Sequence, residues 1–321
     1  MSDQSAYQPP DQNSLPRFAG VRTFMRLPIG LPHTGLDYGV VGIPLDSATT
    51  FRAGARFGPE AIRSMSVLFR GYNPDLDVDI VEVLRGLDVG DCRVVPGYME
   101  ESYRVIEADL NALVGSGAVP IVLGGDHSVS LPVLRALAAK HGPMALVDFD
   151  AHTDTRDAHL GQLYGHGTVF RRACEEQLIE PSESVQVGVR GSLTSSRDLA
   201  DARALGFKVI EMSEVRKSAV QDVAKAIEDR VGMRSAYLSF DIDALDPAFA
   251  PGTGTPTAGG FTTADALSLM GSLRGIHFVG MDVVEVSPPY DHAGITALAA
   301  AAVAWQFLSL LAARGRDRPG A

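Results

Sequence analysis

Residues 119–154 have the sequence VPIVLGGDHSVSLPVLRALAAKHGPMALVDFDAHTD, in which a helix-like stretch separates two short apolar runs. The runs at 119–123 and 144–149 have the length and the Val, Ile and Phe content of buried strands, whereas residues 131–140 are long enough for a helix. A strand, a helix and a second strand in this order form the unit from which parallel sheets are built. Each strand is followed closely by acidic residues and a histidine.

The same alternation extends along the chain in both directions. Eight apolar runs are predicted as strands: residues 38–43, 81–89, 119–123, 144–149, 185–189, 208–210, 236–240 and 277–283. The longer stretches between them are predicted as helices: residues 59–69, 100–114, 131–140, 168–177, 220–231 and 263–273, the last with Thr262 or Thr263 as its N-cap. We therefore predict one α/β domain over residues 21–315, a parallel sheet with helices on both faces, after a disordered segment at 1–20.

The composition limits the classes of protein to which the chain can belong. Its 45% hydrophobic and 21% charged residues are typical of a globular protein, and its net charge of −11 argues against a nucleic-acid binder. Cys92 and Cys174 are expected to be unpaired, inert thiols in a reducing compartment, so we predict a cytoplasmic protein. The N-terminus lacks the features of a signal peptide. Residues 295–313 approach the length of a membrane span, but their alanine content favours a buried terminal helix or a subunit contact.

Residues with metal-binding side chains follow several of the predicted strands. Parallel sheets place their ligand sites at the carboxyl ends of the strands, so these side chains should meet at one edge of the sheet. Residues two apart in an extended segment point to the same side, which allows each group to converge. The set comprises His127 after the third run, Asp150, His152 and Asp154 after the fourth, and Asp241 and Asp243 after the seventh.

Four carboxylates at one partly buried site repel one another strongly unless cations neutralise them. Two divalent cations balance four negative charges. Carboxylate oxygens with some imidazole suit Mn²⁺, although the intrinsic affinity order would favour Ni²⁺ at the same ligands. We therefore predict two divalent metal ions, with Mn²⁺ as the first choice and Ni²⁺ as the alternative.

Three segments, GGDHSVS, DAHTD and SFDIDALDPAFAPGTGTP, resemble the signature segments of the ureohydrolase family, which includes arginases, agmatinases and guanidino-acid hydrolases. The similarity spans nearly the whole chain and is strongest to the group of agmatinases, guanidinobutyrases, guanidinopropionases and proclavaminate amidinohydrolases. It implies a single-domain, arginase-like three-layer fold around an eight-stranded, mostly parallel sheet. It also implies that one Mn²⁺ is bound by His127, Asp150, Asp154 and Asp241, and the other by Asp150, His152, Asp241 and Asp243.

Two further residues complete the chemistry that the resemblance implies. Glu285 follows the last predicted strand, where its carboxylate can accept hydrogen bonds from a guanidinium group. His166 resembles the family histidine that passes protons to the leaving amine. The implied reaction is attack of a metal-bridging hydroxide on the guanidinium carbon, with Asp154 as proton acceptor and with urea and an amine as products.

The guanidino substrate is left open between agmatine, a guanidino acid and a small substituted guanidine or biguanide. The segment TRDAHLGQLYGHG at 155–167 lacks the Asn-containing loop of arginases. His159 stands where guanidinobutyrase-like sequences have an apolar residue, and it is either a substrate-binding residue or a solvent-facing loop histidine. Arg190 is either an anchor for a substrate carboxylate or, as we expect, a surface arginine.

Two alternatives to a ureohydrolase are kept. A single-metal amide deacetylase shares the arginase-like fold, but His127, Asp154 and Asp243 are additional to the ligands that its one Zn²⁺ uses. The second alternative is a ureohydrolase-like subunit that needs a partner chain. The resemblance implies a homo-oligomer, a trimer or a hexamer, and a hetero-oligomer with a related chain is the other possibility; no nucleic-acid or membrane partner is expected.

Overall fold

Eight strands form one sheet in the computed structural model, which describes residues 4–10, 15–193, 195 and 197–316. A separate antiparallel hairpin pairs β2 (Tyr72–Asn73) with β3 (Val78–Asp79). The strands of the main sheet are β1 (Tyr38–Gly42), β4 (Gly86–Asp91), β5 (Val119–Leu123), β6 (Ala145–Phe149), β7 (Val185–Val189), β8 (Lys208–Glu211), β9 (Ser235–Asp241) and β10 (His277–Val284). Their order is β4-β1-β5-β10-β9-β6-β7-β8, and every pair runs parallel.

Helices cover both faces of the sheet. They are α1 (Gly58–Ser66), α2 (Ile80–Val83), α3 (Met99–Ser116), α4 (Ser130–His141), α5 (Val169–Glu175), α6 (Arg197–Leu205), α7 (Met212–Val215), α8 (Val220–Val231), α9 (Thr263–Gly271) and α10 (Ile295–Arg316). One apolar core includes side chains of the sheet, α1, α8, α9 and α10. The other includes side chains of the sheet, α3, α4 and α5. The predicted three-layer α/β fold is confirmed.

The strands that precede the predicted ligands lie side by side at the centre of the sheet. Leu123 of β5 is in register with Val283 of β10, Val283 with Phe240 of β9, and Phe240 with Phe149 of β6. The four strands therefore reach the same edge at the same level, and the residues that follow them begin together there. This alignment brings polar residues from distant parts of the sequence to one place.

Helix α10 is the long apolar segment near the end of the described chain. Residues Ile295–Gly315 are, among the described residues, the one helix long and apolar enough to cross a membrane, and 78% of its most apolar stretch is buried inside the protein. The helix packs against α1, α9 and β10. Its polar residues have partners within the protein: Asn73 donates to Gln306, and Trp305 donates to the carbonyl of Arg70. The predicted burial of this helix is confirmed.

The predicted strand at residues 81–89 is wrong in its first half. Helix α2 occupies that part, because the Asp79 carboxylate caps the backbone N–H groups of Val81 and Glu82. Strand β4 begins only at Gly86, where a Cβ atom would collide with the ring of Tyr38.

The predicted N-cap of α9 is confirmed at Thr262, whose hydroxyl accepts from the Asp265 N–H at 3.0 Å.

The segment at residues 1–20 is described only in part. Residues 1–3 and 11–14 lie outside the described residues, and their predicted disorder stays a prediction. Gln4–Tyr7 form one turn of 3₁₀ helix, and the side chains of Gln4 and Gln8 donate to the carbonyl of Val81.

Candidate metal centre

Two imidazoles and four carboxylates meet at the carboxyl edge of the sheet. His127 Nδ1 lies 3.2 Å from Asp150 Oδ2, 3.0 Å from Asp154 Oδ2 and 3.3 Å from Asp241 Oδ2. A second group lies beside it, with His152 Nδ1 3.5 Å from Asp150 Oδ1 and 3.1 Å from Asp243 Oδ2. The structure thus brings all six predicted ligand side chains together, in two groups that share Asp150.

Backbone hydrogen bonds in the turns after β6 and β9 orient the carboxylates. Asp150 Oδ1 accepts from the His152 N–H at 2.6 Å, and Asp241 Oδ1 accepts from the Asp243 N–H at 2.7 Å. The Ala151 N–H donates to Asp243 Oδ1 at 3.1 Å and so joins the two turns. In each turn the first acid accepts a hydrogen bond from the backbone N–H of the residue two positions later, and that residue carries the next candidate ligand.

The ring of His127 is fixed by a hydrogen-bond chain inside the sheet. Its Nε2 lies 2.9 Å from the Ser239 hydroxyl, which donates to Asp282 Oδ1 at 2.7 Å. Tyr237 and Ser130 donate to the other oxygen of Asp282. This arrangement directs Nδ1 towards the acids, as partners of metal-ligating histidines commonly do. Ser239 and Asp282 were not predicted as site residues, although they are polar residues inside apolar strands, which is a signal visible in the sequence.

Three other features near the edge were also missed. Asp148 of β6 is fully buried and groups with His127 and Asp150, with their ligand atoms within 4.8 Å of one another. Thr255 donates to Asp243 Oδ2 at 3.3 Å. The predicted surface position of Arg190 is wrong, because its half-buried guanidinium donates to four backbone carbonyls, those of Gly188, Asp243, Leu245 and Thr257. Arg190 holds the loop after β9 in place.

The electrostatics of the cluster favour added positive charge. Burial raises the pKa of Asp241 well above its usual range, and the charges of Asp243 and Asp150 raise it further. Burial lowers the pKa of His127, but its acidic neighbours outweigh this effect and raise it well above the usual value. His127 Nδ1 and Asp150 Oδ2 are buried and have no hydrogen-bond partner among the described residues. Buried nitrogen and oxygen donors of this kind fit a divalent cation.

Glu285 and His166 lie together at the same edge. Glu285 Oε1 accepts from the His127 N–H at 2.9 Å and lies 3.2 Å from His166 Nδ1. Glu285 Oε2 is buried without a hydrogen-bond partner among the described residues. A Cβ atom at Gly254 would lie 3.3 Å from this oxygen, so the glycine keeps space open beside it. Burial lowers the pKa of His166, but its hydrogen bond to Glu285 and the nearby acids raise it to about 9.

A cavity with a volume of about 240 Å³ opens beside His166 and several of the candidate metal ligands. His152, Asp154, Asp241 and His166 lie in its wall, together with Thr50, Arg156, His159 and Asp198. His159 also lines a neighbouring cavity, so the structure places it at the rim of the site. Arg156 and Asp198 approach within 4.0 Å and give this rim both signs of charge.

Comparison with known proteins agrees with this geometry. The model of the arginase family matches residues 36–309. A guanidinopropionase of Pseudomonas aeruginosa is 46% identical over 306 residues, covering 95% of this chain and 96% of the relative. A guanidinobutyrase of the same bacterium is 41% identical, covering 96% and 98%.

Solved structures show the same relationship. The proclavaminate amidinohydrolase of Streptomyces clavuligerus superposes with a TM-score of 0.90 at 41% identity, covering 94% of this chain and 100% of that chain. A formiminoglutamase of Trypanosoma cruzi, solved with Mn²⁺, has a TM-score of 0.77 at 26% identity and covers 88% and 95%. The predicted resemblance is confirmed. The chain therefore belongs to the arginase family and is a hydrolase of the C–N bonds of guanidino compounds.

Proposed function

We propose that the chain is a binuclear metal hydrolase that converts a small guanidino compound into urea and an amine. The observation that carries the proposal is the position of Glu285 relative to the six candidate ligands. Its buried carboxylate hydrogen-bonds to the backbone of His127 and keeps one oxygen without a partner among the described residues. A carboxylate in that position can bind a guanidinium group directly above the metal cluster.

The proposed ligands are the six side chains of the two groups, with Asp241 of the first group added to the second. His127, Asp150, Asp154 and Asp241 would hold one cation, and Asp150, His152, Asp241 and Asp243 the other. Mn²⁺ is the proposed ion, on the grounds of the mixed carboxylate and imidazole donors and of the Mn²⁺ in the related formiminoglutamase, with Ni²⁺ as the alternative. When bound, the two cations would supply Lewis acidity and lower the pKa of a water molecule.

The residues of the chain then position the substrate and move protons. Glu285 would accept two hydrogen bonds from the guanidinium and fix its carbon against the cluster. Asp154, at the edge of the cluster and facing the cavity, would accept a proton from the attacking water. His166, protonated at neutral pH because its pKa is raised to about 9, would donate a proton to the departing amine nitrogen.

The size and charge of the cavity support a small guanidino substrate. A volume of about 240 Å³ suits a guanidino group with a short chain. The relatives named above are a guanidinopropionase and a guanidinobutyrase, which favours a guanidino acid for this chain. Agmatine and small substituted guanidines remain members of the proposed class, because Arg156 and Asp198 offer both charges at the rim.

The test is a urea assay on purified protein reconstituted separately with Mn²⁺ and Ni²⁺. The panel is 3-guanidinopropionate, 4-guanidinobutyrate, agmatine, arginine, guanidine and alkylated guanidines. Urea from at least one compound supports the proposal and defines the substrate and the metal. Amide hydrolysis with one bound Zn²⁺ per chain, and no urea, would contradict it.

Two further properties of the chain belong to the same proposal. We propose a homo-oligomer, a trimer or hexamer, with assembly with a related chain as the alternative. Large apolar side chains that are exposed in the single chain, Phe51, Leu160 and Tyr290 among them, support association. We also propose a cytoplasmic location, which the unpaired cysteines Cys92 and Cys174 support.

A further inference from the structure

His166 is held at both of its ring nitrogens. Nδ1 lies 3.2 Å from the Glu285 carboxylate, and Nε2 lies 2.9 Å from the hydroxyl of Thr50. Thr50 is itself exposed, whereas only 11% of the His166 side chain is exposed. The Thr50 hydroxyl therefore lies where the buried imidazole meets the open cavity, and both residues line it.

Hydrogen bonds and an ion pair hold the conformation of the loop that carries Thr50. The Ala48 N–H donates to the buried carboxylate of Asp126 at 3.0 Å, next to the candidate ligand His127. On the other side of Thr50, Asp46 accepts from the Gly54 N–H at 2.7 Å and pairs with the Arg56 guanidinium. Hydrogen bonds thus close the loop on both sides of Thr50.

The same loop packs closely against the segment that follows β10. Gly54 has a φ of 137°, and a Cβ atom there would lie 2.6 Å from the Ser287 hydroxyl, so only glycine fits. Ser287 is two residues from Glu285, the other partner of His166. Both partners of the imidazole therefore belong to segments that pack against each other.

We propose that Thr50 is a positioning residue that acts through His166 and holds the imidazole so that Nδ1 faces Glu285 and the departing amine. The proposal rests on the role assigned to His166 in the proposed function. Among the described residues, the hydrogen bond of the Thr50 side chain is to His166 rather than to a candidate ligand, and no role for Thr50 followed from the sequence motifs.

The chemistry of the hydroxyl suits this task in each protonation state. In the imidazolium both nitrogens are donors, so Nε2–H donates to the Thr50 oxygen while Nδ1–H faces Glu285. When the guanidinium binds Glu285, the Nδ1 proton is available to the leaving nitrogen. Transfer of that proton breaks Nδ1–H, forms N–H on the amine and leaves a neutral ring. The Nε2–H group still donates its hydrogen bond to the Thr50 oxygen, so the ring keeps its orientation until a water molecule returns a proton to Nδ1.

The test compares Thr50→Val, which keeps the shape and removes the hydroxyl, with Thr50→Ser, which keeps the hydroxyl. For Thr50→Val, kcat should fall roughly 3- to 10-fold, as expected for the loss of one hydrogen bond, with KM nearly unchanged. The alkaline limb of its kcat–pH profile should move to lower pH, because the hydrogen bond to Thr50 is stronger from the charged imidazolium than from the neutral ring, so its loss destabilises the protonated form more. Thr50→Ser should have nearly wild-type kcat and a nearly wild-type alkaline limb. In a His166→Asn protein, adding Thr50→Val should cause no further fall in kcat.

Ser47→Ala is the matched control, since Ser47 is an exposed hydroxyl residue of the same loop. It should have wild-type kcat and pH dependence. Equal losses in Thr50→Val and Thr50→Ser, or a wild-type profile in Thr50→Val, would overturn the proposal.

A crystal structure of metal-loaded Thr50→Val gives a readout that does not depend on turnover. The proposal expects the His166 ring to be rotated or disordered in the variant and fixed in wild type. An unchanged ring would contradict the positioning role even if no substrate of the panel were hydrolysed. Absence of urea from the wild-type protein, with a displaced ring in the variant, would instead refute the proposed function alone.

Discussion

Asp154 and Glu285 have left-handed backbone conformations, with φ values of 47° and 64°. Such conformations cost non-glycine residues about 1–3 kcal/mol and persist where the surroundings over-determine them. At Asp154 the carbonyl accepts from the Phe170 N–H at 3.1 Å, and at Glu285 the N–H donates to the Gly125 carbonyl at 2.8 Å. In these conformations the Asp154 carboxylate lies beside His127 and the Glu285 carboxylate beside His166, so the two backbone positions help to set the distance between the candidate ligands and the proposed guanidinium site.

Replacement of Glu285 by Gln tests the guanidinium site. The amide keeps the shape but loses a charged acceptor of two hydrogen bonds, which together contribute about 3 kcal/mol or more. We expect kcat/KM for urea release to fall at least ~100-fold. Bound metal, measured by elemental analysis, should stay at the wild-type level. Loss of metal in this variant would contradict the assignment, because Glu285 would then be a ligand.

We expect the alkaline limb of the kcat–pH profile to report the titration of His166, the proposed proton donor. The pKa of its imidazole is raised to about 9, and the protonated form is the donor, so kcat should fall as the pH rises through that pKa. Glu285, Asp154 and Asp126 raise the pKa, and cations in the site oppose them, so the limb should lie at or below about 9. The measurement is kcat against pH for wild type and His166→Asn. If His166→Asn showed the same alkaline limb as wild type, that limb would arise from the titration of a different group.

At the scale of elements, the sequence was most informative where a local rule decides the structure. The alternation of apolar runs predicted seven of the strands closely, and period-two spacing predicted the acids after β6 and β9. The strand at 81–89 was mispredicted because one capping side chain, Asp79, turned its first half into α2. Helix α6 was missed because it buries only Ala202 among its nine residues, which leaves little apolar pattern. The link from His127 through Ser239 to Asp282 depends on the order of β5, β10 and β9, which no local pattern contains.

The turn between β5 and α4 makes an element-scale prediction. A Cβ atom at Gly125 would lie 1.8 Å from the Leu45 carbonyl oxygen, whereas one at Gly115 in α3 would meet nothing within 4 Å. Gly125→Ala should therefore displace the turn that carries His127 and lower both metal content and the free energy of unfolding. Gly115→Ala, the control, should raise that free energy by about 0.5–1 kcal/mol, since alanine favours helix. Denaturant unfolding measures both. Wild-type metal content in Gly125→Ala would show that the close contact with Leu45 does not position His127.

At the scale of the whole molecule, four parallel strands from distant parts of the sequence meet at the site, and three of them, β5, β6 and β9, lead to the six candidate ligands. The charges they bring are costly to bury: Asp241, Asp243 and Asp150 are buried close together at the carboxyl ends of the central strands. The fold therefore carries a destabilising group of acids at its centre, and bound cations would reverse the sign of that contribution.

Thermal unfolding tests this reversal. Two cations, each at about 100 times its Kd, would stabilise the native protein by about 5 kcal/mol, which raises Tm by on the order of 10 °C. Asp241→Asn should abolish most of that increase. In chelator-treated protein the variant should unfold at the same temperature as wild type or higher, because the pKa of Asp241 is raised and its ionised form destabilises the folded state. If chelator-treated Asp241→Asn unfolded at a much lower temperature than chelator-treated wild type, Asp241 would stabilise the metal-free protein, contrary to this prediction.

The most direct test of the central claim is a titration of chelator-treated protein with Mn²⁺, with urea release from the best guanidino substrate measured at each ratio. Urea release should saturate at two equivalents of Mn²⁺ per chain, because the six candidate ligands form two groups that share Asp150. Full activity at one equivalent, or no urea at two, would contradict it.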